Sequence, residues 1–152
     1  MNCESEAPAL GGGAMATVRA TWNGKMQFTI SDPRGRSVVA DTDPEHGGES
    51  AGFLPREFML IGLAGCTGMD VISILQKKRQ PAQGFEVTVR GDMRDEPPRY
   101  YERVRIDYAV HGDVDEAALE RAIELSITKY CSVYATMKQV AKIEHGYRII
   151  RT

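Results

Sequence analysis

Cysteine and histidine are scarce in this sequence of 152 residues, with three of each. No two cysteines stand at C-x-x-C spacing, and His46, His111 and His145 are scattered. A zinc pattern is therefore missing, and a mixed site of Cys66, Cys131 and one histidine gains no support from spacing. The sequence predicts no metal and no cofactor. An excess of one charge is missing too. Nineteen Lys and Arg against 21 Asp and Glu leave a net charge of −2, so no global field gathers nucleic acid. The basic run Lys77-Lys78-Arg79 reads as a helix C-terminus, where cations complement the dipole. The first residues have neither the basic start nor the apolar core of a signal peptide, which predicts reduced thiols and a cytoplasmic location. The most apolar stretch, 58–75, invites a membrane-span reading, since a bilayer needs roughly 20 apolar residues, but Asp70 interrupts it and Arg56 and Glu57 flank it closely. The expectation is one soluble domain with no membrane partner.

What is present alternates. "VRATWNGKMQFTI" places apolar residues at every second position on both sides of Asn23-Gly24, the signal of a hairpin with a type I′ turn. "SVVA" adds a third strand, and the Asp-, Pro- and Gly-rich stretch 41–55 reads as a long loop, functional or mobile. A central helix is predicted over 56–79, opened by Pro55 and stopped by Pro81. Its apolar residues lie on all sides, which predicts burial on every face. "FEVTVRG" and "YERVRIDYAV" are strands. A second helix is expected from Asp115 to Tyr130 behind a capping box of Asp113 and Glu116. "CSVYATMKQV" reads as a short helix capped by Ser132, and "KIEHGYRII" as a closing strand. Three strands, a helix, two strands, two helices and a strand make an α+β fold with mostly antiparallel pairing. So short a chain covers one side of an all-apolar helix well; a second subunit covering the other is the natural answer, which predicts a homodimer. Residues 1–14 read as a flexible tail and 15–152 as the domain.

The chemistry centres on "LIGLAGCTGMDVISIL", where Gly62, Gly65 and Gly68 surround Cys66. Glycine inside a helix costs about 1 kcal/mol relative to alanine. Such small residues let another backbone or a substrate approach the thiol, or serve close helix packing. A lone buried cysteine is usually an inert apolar filler. Cys131 stands where a helix begins, a position that stabilises a thiolate, with Lys129 nearby; Cys3 lies in the tail and reads as incidental.

"FLPREFMLIGLAGCTGMDVISILQKKRQ", with "SITKYCSVYATM" and "IEHGYRI" downstream, resembles the osmotically inducible protein C and organic hydroperoxide resistance (OsmC/Ohr) family over residues 16–151. The pattern of Gly65, Cys66, Asp70 and Val71 is similar to its YhfA-like branch. The resemblance implies antiparallel β-sheets wrapped around long central helices in an intertwined homodimer. It implies a thiol peroxidase acting on organic hydroperoxides, with Cys66 at the peroxidatic and Cys131 at the resolving position. The reductant would be a dithiol or a lipoyl protein, with no metal and no nucleotide. Aliphatic neighbours such as Leu63, Met59 and Met69 either bind an alkyl tail or form plain core.

Two departures from the family pattern stand out. Its better-known members carry a glutamate ten residues before the first cysteine, where this sequence has Arg56. Glu57, nine before, matches the second acidic position of that motif and either joins the site or caps the helix start. No arginine aligns with the thiolate-stabilising one, leaving Arg34, Arg36 and Arg56 as substitutes. Asp70, one turn after Cys66, shares its face; a carboxylate there raises a thiol pKa unless a cation pairs with it. The competing expectation is a non-enzymatic dimer that senses redox state or binds a small hydrophobic ligand on the same fold.

Overall fold

A computed structural model of the chain describes residues 16–151; the predicted tail and Cys3 lie outside them. The chain divides after Pro55 into two compact units. The first is an antiparallel meander of β1 (Arg19–Gly24), β2 (Gln27–Ser31) and β3 (Ser37–Ala40). Alternation sets its register, pairing Trp22 with Phe28 and Thr29 with Val39. The hairpin is present, but its turn is displaced. Positive φ falls on Gly24 (109°) and Lys25 (47°), and the strand bulges between Trp22 and Gly24. Asn23 stays in the strand because its amide donates to the Gln27 and Thr29 side chains.

The stretch 41–55 is anchored rather than free. The buried Asp41 carboxylate accepts from the backbone N–H groups of Thr42, Glu49 and Ala51, at 2.8, 3.2 and 3.1 Å. These bonds, the one from Ala51 foremost, hold its carboxyl below the usual range. Phe53 pairs with Ala40, and a Cβ on Gly52 would collide with the Val39 carbonyl.

The second unit holds α1 (Glu57–Lys77), β4 (Ala82–Met93), β5 (Tyr101–Gly112), α2 (Glu116–Leu125), α3 (Ser132–Met137) and β6 (Lys142–Ile150). A π-helical turn, Ser126–Tyr130, joins α2 to α3. β5 is central, antiparallel to β4 and parallel to β6. The parallel pair departs from the antiparallel pattern because a helical crossover, here α2 and α3, returns the chain in the same direction. Two caps differ from expectation. Asp115 caps α2, accepting from the Ala118 N–H at 2.9 Å, while Asp113 pairs with Arg151. Cys131, not Ser132, caps α3, its sulfur accepting from the Tyr134 N–H at 3.3 Å.

Helix α1 buries one stripe, Leu63, Thr67, Val71 and Leu75, at a spacing of four. These residues join a core with Val104, Ile106, Tyr108 and Val110 of β5 and Leu119, Ala122 and Ile123 of α2. Burial on every face is corrected for the single chain. Met59, Ile61 and Met69 are 50%, 42% and 73% exposed, because one sheet and one helix layer cover only half of the cylinder. Of the three aliphatic candidates, Leu63 is plain core, while Met59 and Met69 lie on the open face.

Candidate active site

Cys66 sits mid-helix beside the buried stripe and is half-buried; Cys131 ends the π turn and is buried. The turn sets that position: the Cys131 N–H donates to the Ser126 carbonyl at 2.8 Å, and the backbone then opens into extended geometry before α3 begins. Cys66 Sγ, Cys131 Sγ and an Asp70 carboxylate oxygen all lie within 4.8 Å of one another. Both thiols are free. Two thiols and a carboxylate are donors a thiophilic divalent ion accepts, but none of the three histidines joins them.

The two sulfurs are electrostatically unequal. Burial pushes the Cys66 thiol up, and Asp70 adds to that. The Val133 backbone N–H, the Cys131 S–H and the Ser132 hydroxyl, 3.9 Å away, outweigh both and hold it below the ordinary thiol value. Burial pushes Cys131 up to about 11; the hydrogen bond it gives to Cys66 and the nearby charges of Cys66 and Asp70 keep it high against the opposing Tyr134 N–H. The start of α3 lowers both thiols, through the Val133 N–H on Cys66 and the Tyr134 N–H on Cys131, but burial and the neighbouring charges still leave Cys131 raised, which corrects the expectation for Cys131. Lys129 lies over the Tyr130 ring, 5.2 Å from its centroid.

Beneath the thiols runs a buried hydroxyl chain. Ser126 donates to Asp70 at 2.9 Å, Thr67 and Ser126 lie 2.8 Å apart, and Thr67 and Tyr108 lie 2.6 Å apart. Burial pushes the Tyr108 phenol up to about 12, so it keeps its proton. Sequence reasoning missed Thr67, Ser126 and Tyr108. The available signal was a threonine in the middle of an apolar helix, since a buried hydroxyl must find a partner.

Of the predicted residues, the structure brings together Cys66, Cys131 and Asp70. Glu57 is the first residue of α1; nine residues at about 1.5 Å each put roughly 13 Å of helix axis between it and Cys66. Among the described residues, the groups that lower the Cys66 pKa are hydrogen-bond donors and not a cation. Arg34 and Arg36 pair with Asp32, and the Arg56 carbonyl accepts from the Tyr101 hydroxyl. The glycines divide by role. Gly68 packs closely, with Val87 3.3 Å from where its Cβ would be, Gly62 faces Val133 at 3.8 Å, and Gly65 faces open space.

A helix-borne thiol facing a second thiol at the start of another helix defines a two-cysteine protein with redox capacity. The family model described as OsmC-like protein matches residues 46–146. Protein YhfA of Escherichia coli K12 is 33% identical over 133 residues, covering 87% of this chain and 96% of YhfA. A hypothetical protein from Aquifex aeolicus VF5 superposes with a TM-score of 0.82 at 31% identity, covering 92% of this chain and 99% of that one. The organic hydroperoxide resistance protein OhrB of Bacillus subtilis shares the fold, with a TM-score of 0.64 at 13% identity over 89% of this chain and 98% of its own. The chain belongs to the OsmC family. Membership and the two neighbouring thiols support a redox role.

Proposed function

We propose that the protein is a dithiol-dependent peroxidase that reduces organic hydroperoxides, with hydrogen peroxide as a second substrate. The observation that carries the reading is the unequal thiol pair: an activated Cys66 with a protonated Cys131 within 4.8 Å. The Cys66 thiolate attacks the terminal peroxide oxygen, the O–O bond breaks, and the alkoxide takes a proton to leave as alcohol. Cys66 becomes a sulfenic acid, which condenses with Cys131 to a disulfide and water. A dithiol or lipoyl protein then restores both thiols, a cycle suited to the reducing cytoplasm. Asp70 belongs to the reacting group, and Glu57 supports the start of α1, where a carboxylate suits the helix dipole. Peptide mapping after one equivalent of cumene hydroperoxide tests the pairing. A Cys66–Cys131 crosslink is expected; a crosslink through Cys3 overturns it.

The working unit in this reading is a homodimer of the OsmC-like domain, residues 15–152. Its support is the open face of α1, where Met59, Ile61 and Met69 are exposed in the single chain. So much exposed apolar surface marks an interface. Sedimentation at micromolar concentration is expected to show a dimer, and Met69→Glu to shift it toward monomer by placing a charge on the covered face. A fully folded wild-type monomer contradicts this assignment.

A further inference from the structure

The proton chemistry around Asp70 reaches beyond the thiol pair. Its carboxylate lies within 4.8 Å of both sulfurs, and among the described residues it forms no ion pair with a lysine or arginine. Its donor is Ser126, at 2.9 Å. A hydroxyl has one proton to give. Because Ser126 gives its proton to Asp70, it accepts from Thr67; Thr67, its own proton engaged, accepts from the Tyr108 phenol. Every proton in the chain Tyr108, Thr67, Ser126 points toward the carboxylate. The same Ser126 holds the Cys131 N–H through its carbonyl, at 2.8 Å. One residue of the π turn thus ties the carboxylate to the backbone of the second thiol, in a turn type found often at functional sites.

We propose that Asp70 is the base that takes the Cys131 proton in the disulfide-forming step, and that Ser126 positions it for that task. The inference rests on the peroxidase reading above. In the reduced protein Cys66 Sγ lies within 4.8 Å of Cys131 Sγ, and its negative charge helps Cys131 keep its proton. Oxidation places an oxygen on that sulfur and removes its negative charge, leaving the Asp70 carboxylate as the acceptor within reach of Cys131. As the proton passes to Asp70, Cys131 Sγ attacks Cys66 Sγ. The S–S bond forms, the S–O bond breaks, and the departing hydroxide takes the proton from Asp70 to become water. The thiol sulfur is oxidised and the sulfenic sulfur reduced, both to the disulfide level, with no further reactant. Burial, the largest cause of the raised Cys131 thiol, remains after Cys66 is oxidised, so a base beside it favours reaction at neutral pH. The ionisable groups coupled to Asp70 are Cys66 on its own helix, Cys131 at the start of α3 and Tyr108 on β5. Among the described residues, no ionisable group of β4 or α2 hydrogen-bonds or ion-pairs with it.

Stopped-flow mixing with one equivalent of cumene hydroperoxide separates the two steps, with dimedone capture reporting the sulfenic acid and peptide mapping the disulfide. In Asp70→Asn the sulfenic acid is expected to form at least as fast as in wild type, because the Asp70 charge opposes ionisation of Cys66. Disulfide closure is expected to slow by about 100-fold or more, the ordinary worth of a general base. Its rate should then rise more steeply with pH than the wild-type rate does, following the Cys131 thiolate. Ser126→Ala should slow closure about tenfold and Ser126→Thr restore it, a comparison that stands even if Asp70→Asn folds poorly. Opposite effects on the two steps and a changed pH slope do not arise from loosened packing. Closure in Asp70→Asn with wild-type rate and pH profile overturns the inference and leaves the peroxidase reading intact. Failure of wild type to form a sulfenic acid on Cys66 overturns both.

Discussion

Cys66→Ser is expected to consume no cumene or tert-butyl hydroperoxide above background, whatever dithiol is supplied. Three donors lower the Cys66 pKa, the Val133 N–H, the Cys131 S–H and the Ser132 hydroxyl, and their effect is to stabilise an anion. A serine oxygen in the same place receives the same donors but keeps its proton at neutral pH, so the nucleophile is lost while the shape is nearly kept. The thiolate is the reactive form, which fixes the sign of the pH dependence in wild type. The first step should quicken as pH rises toward the Cys66 pKa and level off above it, at a pH lower than for free cysteine because that pKa is lowered. Stopped-flow rates of the first step across pH 5 to 9 measure this. A plateau above that of free cysteine would show that burial and Asp70 outweigh the donors.

Cys131→Ser should stop the reaction after one event and leave a trappable sulfenic acid on Cys66. The first step needs one thiolate; only the second needs a partner sulfur. The substitution is clean for a reason found in the fold. Cys131 caps α3 through its sulfur, and serine is among the preferred N-caps, so the helix start and its Val133 N–H should survive. One equivalent of alcohol per protomer, a dimedone adduct on Cys66 and no turnover is the expected set. Sustained turnover with a dithiol would show that the sulfenic acid is resolved from solution, making Cys131 a structural cap.

Regular alternation and apolar runs made β1, β3, β5, β6 and α1 legible in the sequence, since strand and helix periods act within each element. The caps were misplaced by one or two residues, Asp113 for Asp115 and Ser132 for Cys131, because several side chains there can cap and only the path of the chain selects one. The parallel pairing of β6 depends on how a crossover returns, which no local pattern records. Resemblance assigned the roles of Cys66 and Cys131, while Asp70 was marked by its spacing from Cys66. What surrounds them was hidden by distance in sequence. Thr67, Tyr108 and Ser126 come from α1, β5 and the π turn, each ordinary in its own segment. An arginine beside the thiol is the natural expectation because charge is the familiar way to lower a thiol pKa; here a helix start and two side-chain donors do it, and none of them carries a formal charge.

The proposed cycle turns on whether Cys66 is a fast peroxide nucleophile. The direct measurement is the second-order rate constant of the reduced wild-type protein with cumene hydroperoxide at pH 7, beside free cysteine in the same buffer. The protein is expected to react orders of magnitude faster, with the fast phase lost in Cys66→Ser. A rate no greater than that of free cysteine would contradict that expectation, and would leave a thiol pair built for sensing or binding.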